Sequence, residues 1–139
     1  MSEDVDADHL TEVVSQLLPV VLRTLDALEQ VQRHTHPGRF AQLAETLEPM
    51  RAEMEGAVAG FEGARWPAQL EGFRDLLDTA VRETHGALER CIRAAALPDP
   101  FVDWIRGMRG RSRAMEALYP LSVAFSPVSR FFLEPPRWY

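Results

Sequence analysis

The sequence predicts an all-α protein: an antiparallel up-down four-helix bundle followed by a C-terminal arm rich in proline and aromatic residues. Four segments repeat apolar residues at spacings of three and four, and none alternates with a period of two. The breaks between these segments are short, so successive helices should be antiparallel neighbours. Residues 120–139 depart from the pattern and hold four of the ten prolines. We therefore assign residues 1–119 to the bundle and residues 120–139 to the arm.

The first helix is predicted from about Asp8 to Arg33. Its apolar stripe consists of Leu10, Val13, Leu17, Val21, Leu25 and Leu28. Asp4, Asp6 and Asp8 suit a helix N-terminus, where acidic side chains are favourable. Pro19 lies inside the stripe and removes one backbone donor, so we expect a kink there.

The second helix follows the break "HTHPG" and starts at Phe40. Its apolar series is Phe40, Leu43, Leu47, Met50, Met54, Val58 and Phe61. Gly60 and Gly63 are expected to end it. Because proline interrupts helical hydrogen bonding, Pro49 is expected to divide this helix into two pieces.

The third helix is predicted to begin at "RWPAQL", with Pro67 at its first helical position. Its stripe is Trp66, Leu70, Phe73, Leu77, Val81, Leu88, Cys91 and Ala95. Asp99 and Pro100 then open the fourth helix as N-cap and first position. That helix buries Phe101, Trp104, Ile105, Met108, Met115 and Leu118, and Tyr119-Pro120 closes it.

The charge of the chain is unevenly distributed. Its net charge is −6, but residues 1–100 carry eighteen acidic residues against nine arginines, and residues 101–139 carry three against six. The acidic front argues against a nucleic-acid partner, whereas the basic back suits a local anionic one.

Composition also bears on the cellular setting. The chain lacks Lys and Asn. Both have AT-rich codons, so we expect a bacterial source with a GC-rich genome. The acidic N-terminus is unlike a secretory signal, no apolar run is long enough to span a bilayer, and Cys91 is the single cysteine. These features predict a cytoplasmic protein.

No catalytic, cofactor or metal site is predicted. Di-iron bundles use Glu-x-x-His pairs, and the residue three before His85 is Arg82. His85, at the edge of the third stripe, is interpreted as a hydrogen-bonded boundary residue rather than a ligand. His34 and His36 are interpreted as residues of a solvated turn. Neither reading requires a bound ion.

Two potential nucleophiles are also interpreted as structural. "GRSRA" is superficially similar to a Gly-x-Ser-x-Gly elbow, but Ser112 is predicted in mid-helix and Ala114 replaces the second glycine. Cys91 lies on the buried stripe, where apolar surroundings make a thiol inert.

The best candidate surface is "RGMRGRSR". Arg106, Arg109 and Arg113 recur at three and four, so they share one helix face, while Arg111 points elsewhere. One interpretation, which we favour, is a solvated face that offsets the acidic helices. The other is a docking patch for an acidic protein surface, a phosphate or an anionic lipid. Gly107 and Gly110 weaken the helix locally, which suits a segment that adapts on contact.

The arm divides at Pro135-Pro136. Phe125, Phe131 and Phe132 are expected to fold back onto the bundle, because burying such rings is favourable. Arg137, Trp138 and Tyr139 project beyond the prolines and have the composition of an interface anchor. The anchor could bind another protein or a second copy of the chain, could contact a membrane surface, or could lead into a following domain.

The stretch "ALYPLSVAFSPVSRFFLEPPRWY" resembles the connector after helical N-terminal regions of bacterial multidomain α/β-hydrolases of the esterase or phospholipase type. The resemblance implies a catalytic serine, acid and histidine, none of which has a counterpart in this chain. Our first hypothesis is a non-enzymatic interaction, adaptor or regulatory module that docks through the fourth helix and the arm. The alternatives are a helical accessory domain of such a hydrolase and, third, a metal-dependent bundle enzyme.

Overall fold

The computed structural model is all-α in the part of the chain that it describes. It describes the backbone of residues 2–34, 40–96 and 101–133, and the side chains of residues 8–30, 45–94 and 105–133. Five α-helices and two short 3₁₀ turns cover these ranges, without a strand. The helices are α1 (Ser2–His34), α2 (Phe40–Gly63), α3 (Glu71–Ala96), α4 (Phe101–Leu118) and α5 (Ser126–Leu133).

Both prolines inside predicted helices are accommodated. α1 runs through Pro19, and α2 runs through Pro49 without dividing, so the predicted split of α2 is wrong. Both rings are exposed, which places the carbonyl that each proline leaves unpaired on the solvent side of its helix. The kink expected at Pro19 stays a prediction.

Two helix starts differ from the prediction. α1 begins at Ser2, so Asp4 and Asp6 lie within the helix rather than ahead of it. Pro67 is not the first residue of α3: it has an extended conformation and precedes a 3₁₀ turn over Ala68–Leu70, and α3 begins at Glu71. The expected caps Asp99 and Pro100 lie outside the described residues.

The predicted apolar stripes form the core. Among the fully buried side chains are Leu17, Leu25, Leu28, Leu47, Met54, Leu77, Leu88 and Leu118. α1 contacts α2, α3, α4 and α5, while α2 packs on α3. Burying each of these large apolar side chains stabilises the fold by about 1.5–3 kcal/mol relative to exposure.

The most extensive helix contact joins α3 and α4. Buried small residues form the face of α4 there: Gly107, Gly110, Ala114 and Ala117. A Cβ on Gly107 would lie 2.7 Å from Cys91 Sγ, and one on Gly110 would lie 3.3 Å from Ala87 Cβ. The predicted stripe of large residues misses this face, because close approach of two helices requires small side chains.

The C-terminal region continues from α4 through a 3₁₀ turn over Tyr119–Val123 into α5. Leu121 and Val128 are buried. Phe125, Phe131 and Phe132 are partly buried and pack against the core, as the sequence predicts. Edge-on contacts link Phe131 to Phe132 at 5.7 Å and Phe132 to Tyr119 at 5.4 Å, so the rings pack on one another as well as on the core.

Candidate functional site

The arginine face of α4 is formed by Arg106, Arg109 and Arg113, and all three side chains are exposed. Arg113 pairs with Glu83 of α3, with 3.4 Å between Nη1 and Oε2. For the side chains of Arg106 and Arg109, no ion-pair partner occurs among the described residues. The predicted common face is therefore present, and two of its three cations are directed to solvent.

The side chain of Arg111 extends from α4 to α1. It therefore points away from the arginine face, as the sequence predicts. Its Nη2 lies 2.9 Å from Glu29 Oε2, and its Nε donates a hydrogen bond to the Leu25 carbonyl at 3.1 Å. The two side chains of the ion pair are only 13% and 16% exposed. Arg111 therefore ties α4 to α1 and belongs to the interior of the protein.

Gly107 and Gly110 have a packing role in the structure. Both are buried against α3, where an added Cβ would also meet the backbone oxygens of Ala87 and Glu83 at 3.2 and 3.3 Å respectively. Close packing gives a reason for glycine at both positions, and the expectation that the two glycines make α4 adaptable on contact stays a prediction. They allow the arginine face to be carried on a helix held closely to α3.

A polar cleft between α3 and α4 extends the basic surface. Its volume is about 410 Å³, and its lining residues are Thr79, Arg82, Glu83, Gly86, Ala87, Arg90 and Arg113. Arg90 donates to the Arg106 carbonyl at 3.5 Å, and Arg82 pairs with Asp78. The sequence did not indicate that Arg82 and Arg90 of α3 belong to this surface. Their proximity to α4 depends on how the two helices are rotated against each other.

The second part of the predicted site, Arg137, Trp138 and Tyr139, lies outside the described residues. The last described helix, α5, ends at Leu133, which is 78% exposed.

An open apolar groove lies between α1, the start of α3 and the segment before α5. Its volume is about 500 Å³, and it is lined by Leu10, Thr11, Val14, Ser15, Leu18, Pro19, Trp66, Leu70, Phe73, Leu77, Ala124, Phe125 and Pro127. None of these residues is charged. Phe73 contacts the Phe125 ring edge-on across 6.0 Å. The groove explains why Phe73, which was predicted to be buried, is 36% exposed.

The potential nucleophiles are placed as the sequence predicts. Ser112 lies within α4 and donates its hydroxyl proton to the Met108 carbonyl at 3.2 Å. Cys91 is fully buried, and this burial raises the pKa of its thiol to about 12, so the thiol stays protonated at neutral pH.

His85 is partly buried, as predicted for the edge of the apolar stripe, but its expected hydrogen bond is not found at Nε2 among the described residues. Its Nε2 is buried and has no hydrogen-bond partner in the described part of the chain. Glu55, His85 and Glu89 form a cluster whose potential ligand atoms lie within 4.8 Å of one another. His34 and His36, the other candidates, lie where no side chain is described.

Among the described residues, no helix combines the length and the apolar character that crossing a membrane requires.

Comparison of the chain with protein-family models, curated proteins and solved structures gave no match, so the resemblance to hydrolase connectors stays a prediction.

Proposed function

We propose that this protein is a non-enzymatic interaction module that docks an acidic surface of another protein through the arginine face of α4 and the C-terminal arm. The observation that carries the proposal is the pair Arg106 and Arg109, which are exposed without a carboxylate partner among the described residues. The chain has twenty-one acidic residues to fifteen arginines, so two neighbouring arginines without a carboxylate partner among the described side chains are unexpected.

The competing interpretation, a solvated face that offsets the acidic helices, would have these arginines paired with neighbouring carboxylates. Only Arg113 follows that pattern, through Glu83. Arg90 lies beside Arg106 on the neighbouring helix and adds to the positive surface. Grouped charges of one sign accelerate association with an oppositely charged surface and favour the correct partner.

The test compares two double charge reversals of the full chain. Arg106→Glu with Arg109→Glu inverts the arginine face. Arg65→Glu with Arg74→Glu changes the net charge equally at exposed positions outside α4. Each variant and the wild type serve as bait in lysate of the source organism, and captured proteins are quantified by mass spectrometry.

We expect a specific acidic protein to be retained by the wild type and by the Arg65/Arg74 variant, and lost from the Arg106/Arg109 variant. Because exposed charges are screened, raising the salt concentration should also release it. Equal capture by all three baits, or equal loss from both variants, would contradict the proposal. Light scattering of the wild type distinguishes a second copy of the chain as the partner.

The arm enters the proposal through Arg137, Trp138 and Tyr139, the kinds of residue that dominate interface energetics. We expect removal of residues 135–139 to leave the melting temperature nearly unchanged while partner capture is lost. A large fall in melting temperature would instead assign the end of the chain to the core. The fold-back of Phe125, Phe131 and Phe132 supports this division, since these three contacts with the core precede Pro135-Pro136 in the chain.

We further propose that α1 to α4 form the antiparallel four-helix bundle predicted from the sequence. Support comes from pairs that run in opposite chain directions across α3 and α4, with Glu83 beside Arg113 and Arg90 beside Arg106. Spin labels at positions 23 and 53, and at 83 and 113, should give short distances, because these residues form the Arg23–Glu53 and Glu83–Arg113 pairs. Long distances would refute the bundle.

The proposed setting is the cytoplasm of a bacterium. Support comes from Cys91, which is free and buried rather than displayed for pairing. Cell fractionation with an antibody against the protein checks this assignment, and recovery outside the cytoplasmic fraction would contradict it.

A further inference from the structure

The cluster formed by Glu55, His85 and Glu89 is built from two helices. His85 and Glu89 are four residues apart on α3, which places them on one face of that helix, and Glu55 reaches them from α2. One imidazole and two carboxylates are the ligand types that zinc accepts in open three-residue sites. Glu83 turns to α4 and Glu89 turns to α2, so the cluster lies on a different face of α3 from the arginine pairs.

The charges around the cluster favour a cation. Arg51 holds Glu89 through two hydrogen bonds, Nε to Oε1 at 2.8 Å and Nη2 to Oε2 at 3.1 Å. It also contacts Glu48 at 3.1 Å. The guanidinium of Arg51 thus lies near three carboxylates, those of Glu48, Glu55 and Glu89. Among these four side chains, the negative charges exceed the positive charge by two.

A second, independent observation in favour of a metal site is the missing hydrogen bond of His85 Nε2. Its Nε2 is buried without a hydrogen-bond partner in the described part of the chain, and it lies 3.7 Å from Glu89 Oε1, beyond hydrogen-bond distance. A buried ring nitrogen left in this way costs free energy. A metal ion would use its lone pair, and each oxygen of Glu89 keeps a second lone pair for an ion beside the bonds to Arg51.

We propose that Glu55, His85 and Glu89 form a binding site for a divalent transition-metal ion, with Zn²⁺ as the best fit. Ligands at about 2.0–2.2 Å from zinc lie closer together than the present atoms, so the side chains must move inward. Glu55 is exposed and has the freedom to do so. Arg51 would orient Glu89 as an outer partner, and water would complete the coordination.

The test is a calorimetric titration of the full chain, stripped of metal with a chelator, against ZnCl₂. We expect about one equivalent to bind, and His85→Gln and Glu55→Gln each to weaken binding at least about tenfold. Cobalt(II) provides a second readout, since its visible absorption reports coordination geometry and should disappear in the same variants. MgCl₂ should bind far more weakly, because magnesium prefers oxygen ligands alone.

The matched control is the double variant His34→Gln with His36→Gln, which removes two histidines outside the cluster and leaves the cluster intact. Its zinc affinity should equal that of the wild type. Melting curves without metal verify that every variant is folded, and zinc should raise the melting temperature only where the site is intact. Absence of zinc binding would overturn the proposal, as would binding that survives His85→Gln or that disappears in the His34/His36 control.

Discussion

Arg111 and Arg109 are two residues apart on α4 and have opposite surroundings. Arg109 is exposed, whereas Arg111 is shielded beside Glu29 and the Leu25 carbonyl. The periodicity of the sequence separates the two residues but does not tell which neighbour Arg111 meets. Leu25, whose carbonyl accepts the hydrogen bond from Arg111, lies eighty-six residues earlier in the chain. Only the packing of α4 on α1 brings the two residues together.

We predict that Arg111→Ala lowers the free energy of unfolding by about 2–4 kcal/mol, because it removes a shielded ion pair with Glu29 and the hydrogen bond to the Leu25 carbonyl. Arg109→Ala, on the exposed face, should change it by no more than about 0.5 kcal/mol. Urea denaturation of both variants measures the difference. Replacing Arg111 and Glu29 together by Met should restore much of the loss, because apolar side chains then fill the site of the shielded ion pair. Equal stability of the two alanine variants would contradict this role.

Asp26, which lies in α1 like Glu29, makes the stability of the fold depend on pH. Desolvation raises the pKa of its carboxyl above the ordinary value of 3.8, although the hydrogen bond from Gln30 and the charge of Arg111 oppose the shift. Between that value and its raised folded-state pKa, the folded protein binds more protons than the unfolded chain. The contribution of Asp26 to stability therefore falls as the pH rises through this interval.

We predict that Asp26→Asn is more favourable to stability at pH 7 than at pH 3, because the amide avoids burying a charge. Denaturation curves of the variant and the wild type at both pH values give the comparison. Thr79→Ser, an exposed neutral change on α3, is the control and should show no such pH dependence. If Asp26→Asn instead became more stabilising relative to the wild type as the pH falls, the raised pKa of Asp26 would be contradicted.

Among the helices, α4 departs furthest from what its apolar spacing suggests. Large residues such as Met108 and Met115 are only partly buried, whereas Gly107 and Gly110 are buried against α3. Helix propensity alone favours replacing these glycines. The structure reverses that expectation for Gly107, because Cys91 Sγ and the Ala87 oxygen occupy the space.

We predict that Gly107→Ala destabilises the protein by roughly 1–3 kcal/mol through overpacking, despite its better helix propensity. Gly56→Ala, in α2 with open space around the added Cβ, should stabilise it by about 0.5–1 kcal/mol. Thermal and denaturant unfolding measure both changes. In a Cys91→Ala background the cost of Gly107→Ala should shrink, because the closest clashing atom is gone. Stabilisation by Gly107→Ala in the native background would refute close packing.

Across the molecule, α1 connects with all four other helices, and charged pairs link residues far apart in the chain. Loss of any one of these helices exposes part of a shared core. We therefore predict a single cooperative unfolding transition. Far-UV ellipticity and Trp66 fluorescence should report the same midpoint in a variant with Trp104→Phe and Trp138→Phe. Two separated midpoints would show that part of the fold, with α5 as the first suspect, unfolds independently.

The helical class, the four long helices and most of their buried stripes could be predicted, because apolar spacing along a helix is a local property of the chain. The same holds for the inward Cys91, the shared face of Arg106, Arg109 and Arg113, and the core contacts of the three phenylalanines. Pro49 misled the prediction because an exposed proline can be accommodated in a helix that is held by its buried side.

Tertiary structure decided the rest. The Arg111–Glu29 pair, the glycine contact between α3 and α4, the apolar groove and the Glu55–His85–Glu89 cluster all join residues from different helices. Their distances depend on the rotation and register of one helix against another, and those follow from how the whole core packs. Residue spacing within one helix carries no record of that arrangement, which is why these features emerge only in the folded protein.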